Sequence, residues 1–298
     1  MTLANAVVQG VLLGGLYALF AAGLSLMFGV MRLVNLAHGD IAVVAAFAAL
    51  LVVQNGPGTD GLHPGAALIV VVPLAAVAGY LVQRGLLTRT VGPSPLPALL
   101  VTFGLAIVLQ NVLLLGFSAD QQRLPAGDLA QRSITLGGLT VGVLPAIIFA
   151  TAVVVLGALS LLLARTGLGR VIRATRDDPD AVPLMGVNPR HVYGIATAIA
   201  FASVAVAGVA FGTSTTFAPA SGATLLIFAF EAVIIGGLGR LWGTLASGVV
   251  LGVSQTVAAA LLGPAWQILA GHLVFLLVLA LRPQGILGGR ASRGLVPA

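Results

Sequence analysis

Glu231 is the deepest ionisable group in the sequence, midway along an apolar stretch at 224–239. A charge inside a membrane is costly, and such residues often mark substrate or ion paths. Glu231 is therefore a candidate for substrate contact, gating or proton coupling, unless it simply pairs with a neighbour. Asn35, His38 and Asp40 lie in a short polar break between two apolar runs. A broken helix exposes backbone groups, and transporters often place substrate at such breaks. The plainer alternative is a satisfied turn with Asn35 or Asp40 capping the next helix. Thr102, Gln110 and Asn111 sit together within another apolar stretch. They could face a path, or hold helices together by hydrogen bonds.

Other chemistries have weaker claims. His38, His63, His191 and His272 lack metal-ligand spacing, so no metal site is expected. Gly236, Gly237 and Gly239 precede Trp242 and would permit a tight reversal or a hinge. They are not a nucleotide loop: there is no GxxxxGK[ST] and no lysine at all. Paired carboxylates and nucleophile–base sets are also missing, so no catalytic residue and no bound cofactor is expected. The segment 165–190 holds five arginines and three aspartates. Arg170, Arg173 and Arg176 recur every three residues and would share one helical face. Asp180 to Met185 could form a second short helix, stopped by Gly186 with Pro189 just beyond. Such a loop could meet anionic lipid headgroups or dock a soluble partner.

The elements that must position these residues are membrane helices. The 298 residues are 59% hydrophobic and only 7% charged, against about 25% charged in soluble domains. Twenty-two charges cannot make a polar shell, so a soluble enzyme, a disordered chain and a disulfide scaffold are excluded. There is no cysteine, hence no thiolate chemistry. A bilayer crossing needs about 20 apolar residues. Charge-free runs and turn residues give spans near 5–30, 36–54, 66–84, 96–117, 138–164, 191–212, 224–239, 243–262 and 266–281. The 224–239 and 266–281 spans are short enough to be broken or re-entrant. Strands are not expected, because the apolar runs do not alternate. The fold class is thus an all-α polytopic bundle of about eight or nine crossings, a single transmembrane domain over 1–298.

Arginine sets the orientation. Arg32, Arg84, Arg89, the five of 165–190, Arg240, Arg282, Arg290 and Arg293 fall on one side of this map. Arg123 and Arg132 fall on the other, with Asp60, Asp120 and Asp128. The bias puts the 165–190 loop and the C-terminus in the cytoplasm, and nine crossings would leave the N-terminus outside. The first run lacks a basic leader and is too long for a signal peptide, so it is expected to be a retained helix. Gly10, Gly14, Gly15 and Gly23 along it would allow close helix crossings.

Several segments resemble a known family. Asp180-Ala181-Val182-x-x-x-Gly186 is similar to the coupling loop of bacterial ABC importer permeases, although the usual Ile-x-Leu-Pro continuation is absent. Leu13-Gly-Gly-Leu-Tyr17-Ala-Leu and Gly29-Val-Met-Arg32-Leu-Val-Asn35-Leu-Ala-His38-Gly39-Asp40 resemble the opening signature of LivH-type branched-chain amino acid permeases. Thr102-Phe-Gly-Leu, Ile235-Gly-Gly-Leu-Gly-Arg240-Leu-Trp-Gly243 and Arg282-Pro-Gln-Gly-Ile-Leu-Gly are similar to later signatures, in consistent order. In that family the counterpart of Glu231 is often apolar.

The resemblance implies a permease of the bacterial inner membrane importing leucine, isoleucine, valine or related amino acids. It implies a second LivM-like permease, two ATPases that bind ATP and Mg, and an extracytoplasmic solute-binding protein. It also implies that Arg173, Arg176, Asp180, Ala181 and Gly186 belong to the ATPase coupling loop. Two alternatives stay open: the same machinery carrying urea or short amides, and a secondary transporter using Glu231 as its coupling acid.

Overall fold

The computed structural model describes residues 2–56, 63–90, 92 and 94–286. Its helices are α1 (Leu3–Met31), α2 (His38–Gln54), α3 (Pro64–Gly85), α4 (Leu96–Phe117), α5 (Val143–Arg165), α6 (Gly167–Asp177), α7 (Pro189–Ser214), α8 (Gly222–Gly236), α9 (Leu241–Leu262) and α10 (Trp266–Leu281). Seven of the described helical segments are long and apolar enough to cross a membrane, and α2 and α10 are shorter apolar helices. α1 and α7 are largely buried and form the centre, while α3, α4 and α5 turn most of their apolar surface outward. Such surface is stable only against lipid or another protein.

Small residues explain the centre. Gly10-x-x-x-Gly14 on α1 meets Gly248-x-x-x-Gly252 on α9. A Cβ on Gly14 would stand 2.5 Å from Val249 Cα, and one on Gly248 would stand 2.5 Å from the Gly14 carbonyl oxygen. The two backbones touch, which is how helices gain packing contact where water offers no hydrophobic drive.

The contacts sort the bundle into two ends. At one, the Asn5 carboxamide oxygen accepts from Thr140 N at 2.9 Å, and Leu124 N donates to the Gly212 carbonyl at 2.9 Å. At the other, Gly29 lies against Gly239, and the Tyr80 hydroxyl hydrogen-bonds His191 Nδ1 at 2.8 Å. Arg32, Arg84, Arg89, Arg165, Arg170, Arg173, Arg176, Arg190, Arg240 and Arg282 gather at this second end, and Arg123 and Arg132 at the first. Arg290, Arg293, Asp60 and the last residues of the C-terminal signature, Leu287 and Gly288, lie outside the described residues.

The two halves of the bundle repeat one packing plan in opposite directions. α1 packs on α9 as α7 packs on α3; α8 packs on α1 as α2 packs on α7; and α2 meets α8 across the middle. α5 and α6 are inserted between the halves. No repeat in the sequence is strong enough to mark this duplication.

α2 and α8 both begin in the interior. After Met31 the chain doubles back along α1, with Arg32 left-handed at φ 53°. His38 Nε2 then donates to the carbonyl of Phe20, in the middle of α1, at 2.9 Å. From the opposite end, residues 215–221 double back after α7, and α8 starts at Gly222 beside Gly39. The expectation of a full crossing over 36–54 is thereby corrected: α2 starts part-way through the bundle. The short 224–239 span is the reciprocal helix.

A second correction concerns strands. Ser133–Leu136 and Leu139–Gly142 pair antiparallel, so the span placed at 138–164 begins with a strand and its helix starts only at Val143. Gly137 and Gly138, at φ 55° and 85°, supply the two left-handed residues that a tight hairpin turn requires. The pairing satisfies the backbone of a segment at the arginine-poor end.

Candidate translocation and coupling sites

The break before α2 is held by its own polar residues. The Asn35 carboxamide oxygen accepts from Ala37 N at 3.0 Å, closing the turn into α2. Thr102 Oγ1 accepts from Leu36 N at 3.2 Å and donates to its own helix at Ala98 O, 2.9 Å. Asn35, His38 and Thr102 are fully buried. The structure thus brings these three together as a braced turn fixed to α1 and α4. The His38 proton sits on Nε2, because a carbonyl only accepts; Nδ1 is buried without a partner among the described residues. Asp40 lies in the first turn of α2, and a Cβ on Gly222 would stand 2.6 Å from its Cγ. Its carboxylate therefore stands at the positive ends of two helices that run apart, a placement that favours negative charge. Gln110 lies further along α4, half-buried, and joins neither this group nor the next. Asn111 is exposed and donates to its own helix at Ile107 O, 2.8 Å.

Glu231 belongs to a separate cluster that the sequence did not assemble. Its Oε1 pairs with His272 Nδ1 of α10. Its Oε2 is buried without a partner among the described residues. Phe228, one turn earlier, stacks on Tyr17 with centroids 4.9 Å apart and on His272 at 6.3 Å. The Tyr17 hydroxyl donates to Gln255 Oε1 of α9 at 2.6 Å. Four helices thus contribute to this polar group: Tyr17, Glu231 and Gln255 are buried, and His272 is half-exposed. Glu231 and His272 each stand out as a titratable group in an apolar run, but nothing in either segment specifies that they pair.

Gly236, Gly237 and Gly239 form the reversal from α8 to α9. Gly237 and Gly239 have φ of 92° and 79°. A Cβ on Gly239 would stand 2.9 Å from Gly29 Cα, so the turn is wedged against the end of α1.

The 165–190 segment folds as a helix and a turn. The Thr166 hydroxyl accepts from Gly169 N at 3.0 Å and caps α6. Ile172 and Thr175 face inward, and Arg170, Arg173 and Arg176 are exposed on the other face. The second helix is shorter than expected, a 3-10 turn over Val182–Met185. Asp178, not Asp180, organises it: its carboxylate accepts from Asp180 N at 3.1 Å and Ala181 N at 3.0 Å. Asp180 is exposed and Ala181 half-buried. Gly186, at φ 77°, ends the turn. Asn188 then caps α7 by accepting from Arg190 N at 3.0 Å. This local bonding holds Leu184 and Met185 out from the surface, 89% and 81% exposed. Beside them a cleft of about 710 Å³ is lined by Arg32, Arg176, Asp177, Asp180 and Arg190, with Tyr193 at its wall.

Comparison with known proteins adds to this geometry. A family model described as branched-chain amino acid transport system / permease component matches residues 6–281. The chain is 28% identical over 289 residues to the high-affinity branched-chain amino acid transport system permease protein BraD of Pseudomonas aeruginosa, covering 94% of each. It is 28% identical over 288 residues to the LivH permease protein of Salmonella typhimurium, again covering 94% of each. A probable branched-chain amino acid transport permease protein LivH of Methanocaldococcus jannaschii is 26% identical over 294 residues, 93% of this chain and 90% of the relative. No solved structure matches the chain.

Proposed function

The chain belongs to the family of branched-chain amino acid transport system permease components, and from that premise we propose that it is the membrane-spanning subunit of an ATP-binding cassette importer of branched-chain amino acids. A second permease of the same family completes the pore. Two ATP-binding subunits dock at the arginine-rich end, which is cytoplasmic under the positive-inside bias. An extracytoplasmic solute-binding protein delivers substrate to the other end. ATP and Mg are held by the partners, since this chain has no lysine and so no Walker motif.

The observation that carries this reading is the turn at 178–188. Two large apolar side chains, Leu184 and Met185, stand almost wholly in solvent, held there by Asp178 and the left-handed Gly186. An isolated chain gains nothing by fixing such residues outward; a partner cleft would bury them. The arginines of α6 flank the turn and supply charge complementarity to that partner. Closure of the ATPases would push on the turn. α6 and α7, joined through it, would transmit the movement to the central helices.

Reconstituted proteoliposomes holding the complete complex test the proposal. Leucine uptake should require ATP on the side of the ATPases, and unlabelled valine should compete. Uptake of urea or acetamide in place of leucine would keep the machinery and change the cargo. Uptake indifferent to ATP would overturn the importer reading and return attention to Glu231 and His272 as a coupling pair.

A further inference from the structure

A groove of about 550 Å³ lies between α3, α6 and the start of α7 at the arginine-rich end. It is separate from the charged cleft beside Leu184 and Met185, and only Asn188 lines both. That cleft holds two aspartates; among the described residues no acidic side chain lines the groove. Its wall is aliphatic, with Val192 buried and Leu168, Val171 and Ile195 half-buried. Its basic residues, Arg84 and His191, are exposed.

One tyrosine fixes both of these basic groups. The Tyr80 ring lies on the backbone of α7, where a Cβ on Gly194 would stand 2.6 Å from its Cε2. The Arg84 guanidinium sits over that ring, 5.9 Å from its centroid, a cation–π arrangement. The Tyr80 hydroxyl holds His191 Nδ1 at 2.8 Å. His191 Nε2 has no hydrogen-bond partner, and Arg84 no acidic one, among the described residues. A guanidinium and an imidazole nitrogen are thus set on one groove with no anion of this chain to meet.

α3 supplies the depth. Val77 and Leu81 are 58% and 61% exposed and share a helical face with Arg84. An apolar stripe that ends in a guanidinium, at the cytoplasmic end of a membrane helix, follows the order of acyl chain and headgroup in a bilayer. A free phosphate ion would suit Arg84 and His191 but would use none of the aliphatic wall.

We propose that this groove binds one anionic phospholipid, its phosphate held by Arg84 and His191 and an acyl chain laid against Val171, Val192 and Ile195. Gly186 and Val187 line the same groove. The bound lipid therefore braces the turn that carries Leu184 and Met185 against α3, and transport depends on anionic lipid. That dependence rests on the importer reading above; the lipid site itself does not.

The complete complex, stripped of lipid in detergent, is titrated with phosphatidylglycerol or phosphatidylcholine, and bound lipid is counted by native mass spectrometry. The parent should retain a phosphatidylglycerol that phosphatidylcholine does not replace. Arg84→Gln should bind it about tenfold more weakly, the loss of one charge-assisted contact. Arg84→Lys keeps the charge and should keep the preference. Arg89→Gln, exposed at the same end but outside the groove, should bind as the parent does. In proteoliposomes, added phosphatidylglycerol should raise ATP-driven leucine uptake, and Arg84→Gln should need several-fold more of it.

Equal retention of the two lipids by the parent, or equal losses in Arg84→Gln and Arg89→Gln, would overturn the site. Displacement of the lipid by inorganic phosphate at millimolar concentration would reassign the groove to a free anion. Loss of the ATPase subunits from Arg84→Gln, with lipid retained, would make the groove a protein contact instead. A parent complex that retains the lipid yet imports no leucine would leave the site standing and remove the importer reading.

Discussion

Tyr17 of α1 and Gln255 of α9 are joined by a hydrogen bond of 2.6 Å in the interior, between residues 238 positions apart in the chain. The bond closes the α1–α9 seam above which Gly10 and Gly14 let the backbones touch. Tyr17→Phe would keep the ring and orphan the Gln255 oxygen. The expected loss is about 1–3 kcal/mol of stability, the cost of an unsatisfied buried acceptor. Denaturation in detergent, followed by near-ultraviolet circular dichroism, measures it. A variant as stable as the parent would show that the bond does not form.

The seam itself makes a stronger prediction. Gly14→Val places a branched side chain where Val249 Cα is already 2.5 Å from a single added carbon. Overpacking typically costs about 1–3 kcal/mol, and here the obstacle is backbone that cannot rotate away. The yield of monodisperse protein on size-exclusion chromatography should collapse. Gly104→Val on the same scale should be tolerated, since among the described residues no atom beyond its own turns of helix lies within 4 Å of a Cβ there.

Glu231 and His272 should behave as a pair. His272→Ala takes the partner from a buried carboxyl group, which should cost about 1–3 kcal/mol, the penalty of an unsatisfied buried polar group. Replacing both, as Glu231→Gln with His272→Ala, removes the charge and should recover much of the stability. Melting temperatures of the single and double variants decide the matter. Additive losses would mean that the two residues do not interact.

The break before α2 should depend on one hydroxyl. Thr102→Val removes the acceptor for Leu36 N and should cost about 1–3 kcal/mol, whereas Thr102→Ser should be close to neutral. If the braced turn also serves transport, leucine uptake will fall with the valine variant and persist with serine. Equal uptake in both would confine Thr102 to a structural part.

At the arginine-rich end the turn requires a left-handed residue. A β-branched side chain at Gly186 costs at least about 1–2 kcal/mol in that conformation, and asparagine costs less. ATP-driven uptake should therefore fall in the order glycine, asparagine, valine, with membrane insertion unchanged. Leu184→Asp with Met185→Asp should stop uptake by another route, removing apolar contact while leaving the turn intact. ATPase subunits that still co-purify in full amount with that double variant would disprove the docking role.

The apolar composition, the turn residues and the arginine bias were enough to find the membrane helices, to mark the segment 165–190 and to single out Glu231 and the polar break at 35–40. Each is a local property: hydropathy, backbone chemistry or charge within one segment. The hairpin at 133–142 was legible too, in Gly137-Gly138 between two short apolar runs, but a scan for charge-free stretches merges it with the helix that follows.

The remainder lay between segments. Hydropathy gives the length of an apolar run but not the depth at which its helix begins. Only the contacts of His38 with Phe20, and of Gly39 with Gly222, put the starts of α2 and α8 in the interior. In the same way, Glu231 is visible as a costly charge, while nothing on three other helices marks His272, Gln255 and Tyr17 as its neighbours until packing brings them together. Residue chemistry within single segments is enough to make this chain a membrane bundle with a charged loop at one end. The tertiary structure decided which polar groups satisfy one another and which are left over, because in an interior without water a hydrogen-bond partner must come from another helix, and no single segment specifies its neighbour.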